Sequence, residues 1–105
     1  MTSGMGKAMK QLQKMQADMK KMQQELEEKR ISATAGGGVV EVVVDGHRKI
    51  IDIIIKPQVV DPEDVETLED LLQAAANEAM NKAEKMAADE MKQVTGDMPL
   101  PPGLF

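Results

Sequence analysis

From about Gly4 to Arg30, apolar residues recur at heptad spacing, with Met5, Leu12, Met19 and Leu26 on one seam position and Ala8, Met15 and Met22 on the other. The residues between them are mainly Lys, Gln and Glu, all good helix formers, and no Gly or Pro follows Gly6 within the run. The pattern predicts one helix of about 24 residues, on the order of 36 Å long.

Past Arg30 the pattern changes. Ile31 to Ala35 is short and β-favouring, Gly36-Gly37-Gly38 breaks the chain, and Val39 to Val44 reads as a strand. Asp45-Gly46-His47 signals a turn, and Arg48 to Lys56 returns as a second strong strand before Pro57, so three antiparallel strands are expected. Alternation places Val40, Val42 and Val44 with Ile51, Ile53 and Ile55 on one face, and Val39, Val43, Ile50 and Ile54 on the other, interrupted by Glu41 and Asp52. A sheet with one wetted face alternates apolar with polar. Two apolar faces imply that the second face, or a sheet edge, meets another copy of the chain.

Asp61-Pro62-Glu63-Asp64 has the composition of a helix start, with Asp61 as cap, Pro62 at the first helical position and two acids at the positive end of the dipole. Val65, Leu68, Leu72, Ala75, Ala79 and Met86 then follow at helical spacing, and the helix is expected to run to about Val94. Gly96 is the expected stop, and Pro99, Pro101 and Pro102 forbid further helix. The expected fold class is α+β: a single α-β-β-β-α domain over residues 1–95, with an extended Pro/Gly-rich tail over 96–105.

Composition narrows the chemistry. The 105 residues include no Cys, Trp or Tyr, one His and one Phe, which removes thiolate nucleophiles, disulfides and Cys-based zinc sites and leaves little for a His-oriented triad or a catalytic metal. The near absence of aromatics argues against stacking single-stranded nucleic acid. No run approaches a membrane span, and Lys7, Lys10 and Lys14 break up any signal-like apolar stretch at the N-terminus. A non-enzymatic cytoplasmic protein is expected, with no metal, cofactor, small-molecule substrate or membrane partner.

The net charge of −5 is unevenly distributed. Residues 1–24 carry five lysines and one acid, Asp18, whereas Asp61 to Glu78 holds seven acids and no Lys or Arg. At 100° per residue, Lys7, Lys10, Lys14 and Lys21 fall within a stripe of roughly 60° nearly opposite the Met/Leu seam, with Lys20 to one side. Such a stripe is either a solvated outer face or a ridge for phosphates. Lysine neutralises phosphate without the bidentate geometry with which Arg reads guanine, so the ridge suits backbone contact with duplex DNA. Lys82, Lys85 and Lys92 extend it if the helix ends lie together. The acidic block reads as a solvated helix face, or one that turns DNA toward the basic helix.

Other features read more plainly. The Met-rich seam is expected to pack on the C-terminal helix or on a second subunit, with a client-binding groove as the alternative. Gly36-Gly37-Gly38 leads into a strand, not a helix, and so is a tight connection and no phosphate loop. Glu41 and Asp52 can be placed opposite each other in one hairpin register, but no other catalytic group accompanies them. His47 is expected to be an exposed turn residue, with a phosphate contact as its lesser alternative.

Met9-Lys10-Gln11 with Met15-Gln16, Gly36-Gly37-Gly38-Val39-Val40, Asp45-Gly46, Leu68-Glu69-Asp70-Leu71, Ala75-Ala76-Asn77-Glu78-Ala79 and Pro101-Pro102-Gly103, in that order and spacing, resemble the YbaB/EbfC nucleoid-associated proteins of bacteria. The resemblance spans nearly the whole chain; Asn77-Glu78 departs from the family's Asn-Asp only by a longer acid. It implies a tweezer-like homodimer with a central β-region and projecting helices, which binds DNA, alters its conformation and acts in nucleoid organisation and gene regulation. By position, the family's DNA contacts fall on Lys7, Lys10, Lys14 and Lys21, then Lys20. A second layout, two long helices flanking strands, is similar to prefoldin-type chaperones and implies a holdase that uses the Met seam.

Overall fold

The structure, a computed structural model, describes residues 2–95, with side chains from 6 to 94, so the expected tail at 96–105 lies outside the described residues. Helix α1 (Thr2–Glu28) leads into strands β1 (Ile31–Ala35), β2 (Val40–Val44) and β3 (Ile50–Ile55), a single 3-10 turn at Pro57–Val59, and helix α2 (Val65–Thr95). This is the α+β order expected from the sequence. The strands form an antiparallel sheet in the order β1-β2-β3.

Local chemistry sets the ends of the elements. The Arg30 guanidinium donates to the Glu27 and Lys29 carbonyls at 3.0 and 2.8 Å, satisfying oxygens that the end of α1 leaves without an intrahelical partner. At the other helix the expected cap is displaced. Asp64, not Asp61, caps α2: its carboxylate accepts the Thr67 N–H at 3.3 Å and the Thr67 hydroxyl at 2.7 Å. Asp61 instead closes a separate turn, taking the Glu63 N–H on its side chain at 3.0 Å and the Asp64 N–H on its carbonyl at 3.0 Å. Pro62 sits inside that turn, and the helix starts three residues beyond it at Val65.

Helix α2 lies across β1 and β2. Ala75, Ala79 and Ala83, one turn apart and fully buried, let the helix backbone come close to Ile31, Ala33, Val40, Val42 and Val44. Burying each valine or isoleucine in this layer contributes roughly 1.5–3 kcal/mol. The β1–β2 connection is tight, with Gly36, Gly37 and Gly38 all at positive φ; a Cβ on Gly36 would stand 2.8 Å from Val39 and 3.0 Å from Leu71.

The β2–β3 register corrects the expected faces. Val42 pairs with Ile53 and Val40 with Ile55, consistent with the shared face expected for them, but a bulge at Val43/Val44 sets Val44 opposite Ile50 and leaves Ile51 as the extra residue. Glu41 pairs with Ile54 and Asp52 with Val43, so the two carboxylates are not directly opposed, and the acid/base pairing loses its geometry. Strand β3 is the larger departure. Its residues Ile50, Ile51, Ile53 and Ile54 are all exposed, because α2 covers β1 and β2 and stops short of the third strand.

The molecule measures 75 × 22 × 17 Å, elongated because the two helices form an arm with its own buried cluster, which meets that of the sheet at Met86.

Candidate nucleic-acid interface

The arm is built from the last part of α2 against the last third of α1. Met22, Leu26 and Met91 are its buried residues, with Met19, Met86, Ala87 and Val94 packed partly around them. Ala87 and Met91 lie beside Leu26, whereas Gln93 and Val94 lie beside Asp18 and Lys21, so the helices run antiparallel. At Val94 the described side chains of α2 end, level with Asp18 and Met22.

The heptad seam is therefore only partly a packing seam. Met22 and Leu26 are buried and Met15 and Met19 half-buried, but Leu12 is 59% and Met9 58% exposed. The side chains of α1 from Gly6 to Lys14 stand in solvent on every face. A heptad repeat reports that an apolar stripe exists, not that a partner covers its whole length.

Lys7, Lys10, Lys14, Lys20 and Lys21 are all exposed on this helix. Helical phase groups Lys7, Lys10, Lys14 and Lys21 on one stripe and sets Lys20 on its flank. Lys21 also borders a shallow groove that it shares with Asp18, Glu25 and Glu90, so its surroundings are more acidic than those of Lys7, Lys10 and Lys14. Among the described residues, the one ion pair within 4 Å joins Lys82 to Glu78 at 3.7 Å, and none of the five α1 lysines has a carboxylate partner at that distance. Lys82 also donates to the Ser32 carbonyl at 3.3 Å, which ties it to the sheet, while Lys85 and Lys92 stay exposed on α2.

At the root of the arm the β2–β3 turn meets α1, a contact that sequence reasoning missed. The Gly46 N–H donates to the Leu26 carbonyl at 2.8 Å, and His47 Nε2 lies 2.9 Å from the Gln23 carbonyl. A ring nitrogen facing a carbonyl must carry the proton, so His47 donates. Asp45 is buried, and its Oδ1 accepts the N–H groups of His47 and Lys49 at 2.8 and 2.9 Å, which stiffens the turn from within. The turn residues Gly46, His47 and Arg48, with Met22, Gln23, Leu26, Glu84, Ala87 and Met91, line an open pocket of about 130 Å³. The Asp-Gly pair was the available signal, but it indicates a turn and not what the turn touches.

Among the described residues no cluster of three His, Asp or Glu side chains is arranged to hold a metal ion, and no helix is long and apolar enough to cross a membrane.

Comparison with known proteins agrees with this architecture. A solved structure titled as an uncharacterized protein, HP0035 from Helicobacter pylori, superposes with a TM-score of 0.73 at 21% identity, covering 81% of this chain and 89% of that one, which shows a shared fold. A protein from Alkaliphilus metalliredigens named nucleoid-associated protein is 58% identical over 96% of this chain and 88% of its own length. One of the same name from Pelotomaculum thermopropionicum is 50% identical over 100% of this chain and 99% of its own length. Residues 1–98 match the profile of the YbaB/EbfC DNA-binding family, and with relatives this similar over most of their length the chain belongs to that family.

Proposed function

We propose that this protein is a nucleoid-associated, non-enzymatic protein that binds duplex DNA as a homodimer. Contact runs mainly through backbone phosphates, and binding alters the conformation of the DNA, with consequences for nucleoid organisation and gene regulation. The observation that carries the reading is the half-free arm: Lys7, Lys10, Lys14 and Lys21 form one exposed stripe on a helix whose outer residues 6–14 are all exposed, with Lys20 beside it. Point charges along a rigid rod attract a duplex without reading its sequence.

Two features support a dimer. Strand β3 is a sheet edge carrying exposed isoleucines on both faces, a surface that a soluble monomer does not ordinarily leave in water. Two copies also double the basic stripe. That doubling offsets the long-range repulsion expected from a chain of net charge −5, which screening at about 8 Å only partly hides.

The test is a duplex titration at several salt concentrations with the dimer verified by mass in solution. About eight phosphate contacts per dimer predict a log–log salt slope of about −7. Changing Lys7, Lys10, Lys14 and Lys21 together to Gln should abolish most of that slope; an unaltered affinity and slope would remove the mechanism. The exposed Met9 and Leu12 favour one rival, a holdase working through the seam. A seam substitution that abolished capture of unfolded protein while sparing the dimer and DNA binding would support that rival.

A further inference from the structure

The outer part of α1 is a lever. From Leu26 to Lys10 the helix spans about 24 Å, so a tilt of about 10° at Leu26 carries Lys10 by roughly 4 Å, more than a hydrogen-bond length. Where the lysines point therefore depends on what holds the root. The described contacts provide two supports. One is the packing of Met19, Met22 and Leu26 of α1 with Ala87, Met91 and Val94 of α2; methionine is adaptable and tolerates several packings, so this support sets the separation of the helices better than their angle. The other is the β2–β3 turn, which grips α1 by two directional hydrogen bonds one turn apart, at Gln23 and Leu26.

The turn is built for rigidity. Its backbone closes twice, Asp45 N–H to the Lys49 carbonyl at 2.9 Å and Arg48 N–H to the Asp45 carbonyl at 3.1 Å, and the buried Asp45 carboxylate ties two further N–H groups. The Leu26 carbonyl takes both the Gly46 N–H and, at 3.2 Å, the Lys29 N–H, so the last turn of α1 and the β2–β3 turn share one acceptor. Only a residue without a Cβ can approach so closely, because a Cβ on Gly46 would lie 2.5 Å from that oxygen.

We propose that the Asp45–Lys49 turn is the latch that sets the direction of the lysine-bearing arm, and that His47 is its positioning residue, acting on DNA affinity through the Gln23 carbonyl and not by touching DNA. The inference rests on the DNA-binding reading for its functional consequence, but the latch itself is a statement about this chain's geometry. Its distinguishing signature follows from the chemistry. A residue that positions the arm changes affinity while the number of phosphates neutralised stays the same, so the salt slope is kept. A residue that contacts phosphate changes both, with a loss of slope of about 1 for each contact removed.

The experiment pairs His47→Ala with His47→Gln, whose amide keeps a donor. Spin labels at the exposed Gln13 and Gln58 report the arm against the sheet, read in labelled chain diluted into excess unlabelled chain so that only distances within one chain contribute. His47→Ala should broaden that distance distribution and weaken duplex binding on the order of fivefold at unchanged slope, and His47→Gln should restore both. An unchanged distribution in His47→Ala overturns His47 as the residue through which the turn directs the arm, and a slope reduced by about 2 per dimer overturns the positioning role in favour of direct phosphate contact. Should the unsubstituted protein fail to bind duplex, the DNA reading falls, and the distance distribution still decides whether the turn directs the arm through His47.

Discussion

Val42 and Ile53 are direct cross-strand partners, yet Val42 is 1% exposed and Ile53 is 47% exposed. They share one face of the sheet, and the difference arises because α2 covers β1 and β2 but not β3. The uncovered strand offers apolar side chains and an unpaired backbone edge at the same place. A charge placed there should oppose self-association and leave the protomer's own core intact. Ile53→Lys is expected to shift the mass in solution from dimer toward monomer, with helix content by circular dichroism retained. A monomeric unsubstituted protein, or a dimer indifferent to Ile53→Lys, would remove β3 from the interface.

The β2–β3 turn carries its glycine at an unexpected place. Arg48 adopts φ 68°, the left-handed region that favours glycine, while Gly46 is required by its approach to the Leu26 carbonyl. Two substitutions should therefore act in opposite directions. Gly46→Ala is expected to destabilise by about 2 kcal/mol or more, since its Cβ meets α1 backbone that cannot yield cheaply. Arg48→Gly should stabilise by about 0.5–1 kcal/mol, relief of the left-handed conformation outweighing glycine's greater freedom in the unfolded chain. Denaturant unfolding of the two variants settles both signs.

Much of this fold was legible in the sequence because it rests on local signals. The heptad stripe, the glycine run, the valine and isoleucine strands and the Asp-Gly turn each act over a few residues, and each produced its element within a few positions of the expected boundary. The errors have a common physical origin, since they concern contacts between elements. Asp61 and Asp64 are both chemically able caps, and tertiary placement of the helix start selects the second. The bulge that shifts Ile51 depends on two strands twisting together. Likewise the seam predicts where α1 is apolar, while the position at which α2 ends decides which of those residues are covered. The lysine stripe was readable because phase on a helix is local, whereas the grip of His47 on Gln23 joins residues 24 positions apart and leaves no local trace.

Asp45 provides a test of the turn that does not involve glycine. Both N–H groups that its carboxylate accepts point to the same oxygen, Oδ1, and the residue is 4% exposed. Asp45→Ala leaves two donors without that partner and should cost about 2–4 kcal/mol. Asp45→Asn supplies a carbonyl oxygen in the same place and is expected to stay within about 1 kcal/mol of the original. Equal losses in the two variants would indicate that the negative charge, and not the acceptor geometry, supports the turn.

Leu12 and Leu26 occupy equivalent heptad positions and should respond very differently to truncation. Leu26 is 3% exposed, packed with Met22 and Met91, so Leu26→Ala removes buried methyl groups and leaves a cavity beside the pocket already present, at an expected cost of about 2–4 kcal/mol. Leu12 is 59% exposed, and Leu12→Ala should change stability by no more than about 0.5 kcal/mol, alanine's helix propensity compensating for what little contact is lost. Thermal melting of both variants at one protein concentration compares them directly. A Leu12→Ala loss as large as that of Leu26→Ala would show the outer half of α1 packed in solution, and the lysine stripe would then sit on a supported helix instead of a free arm. The small loss expected here leaves the angle of the lysines to the root contacts alone.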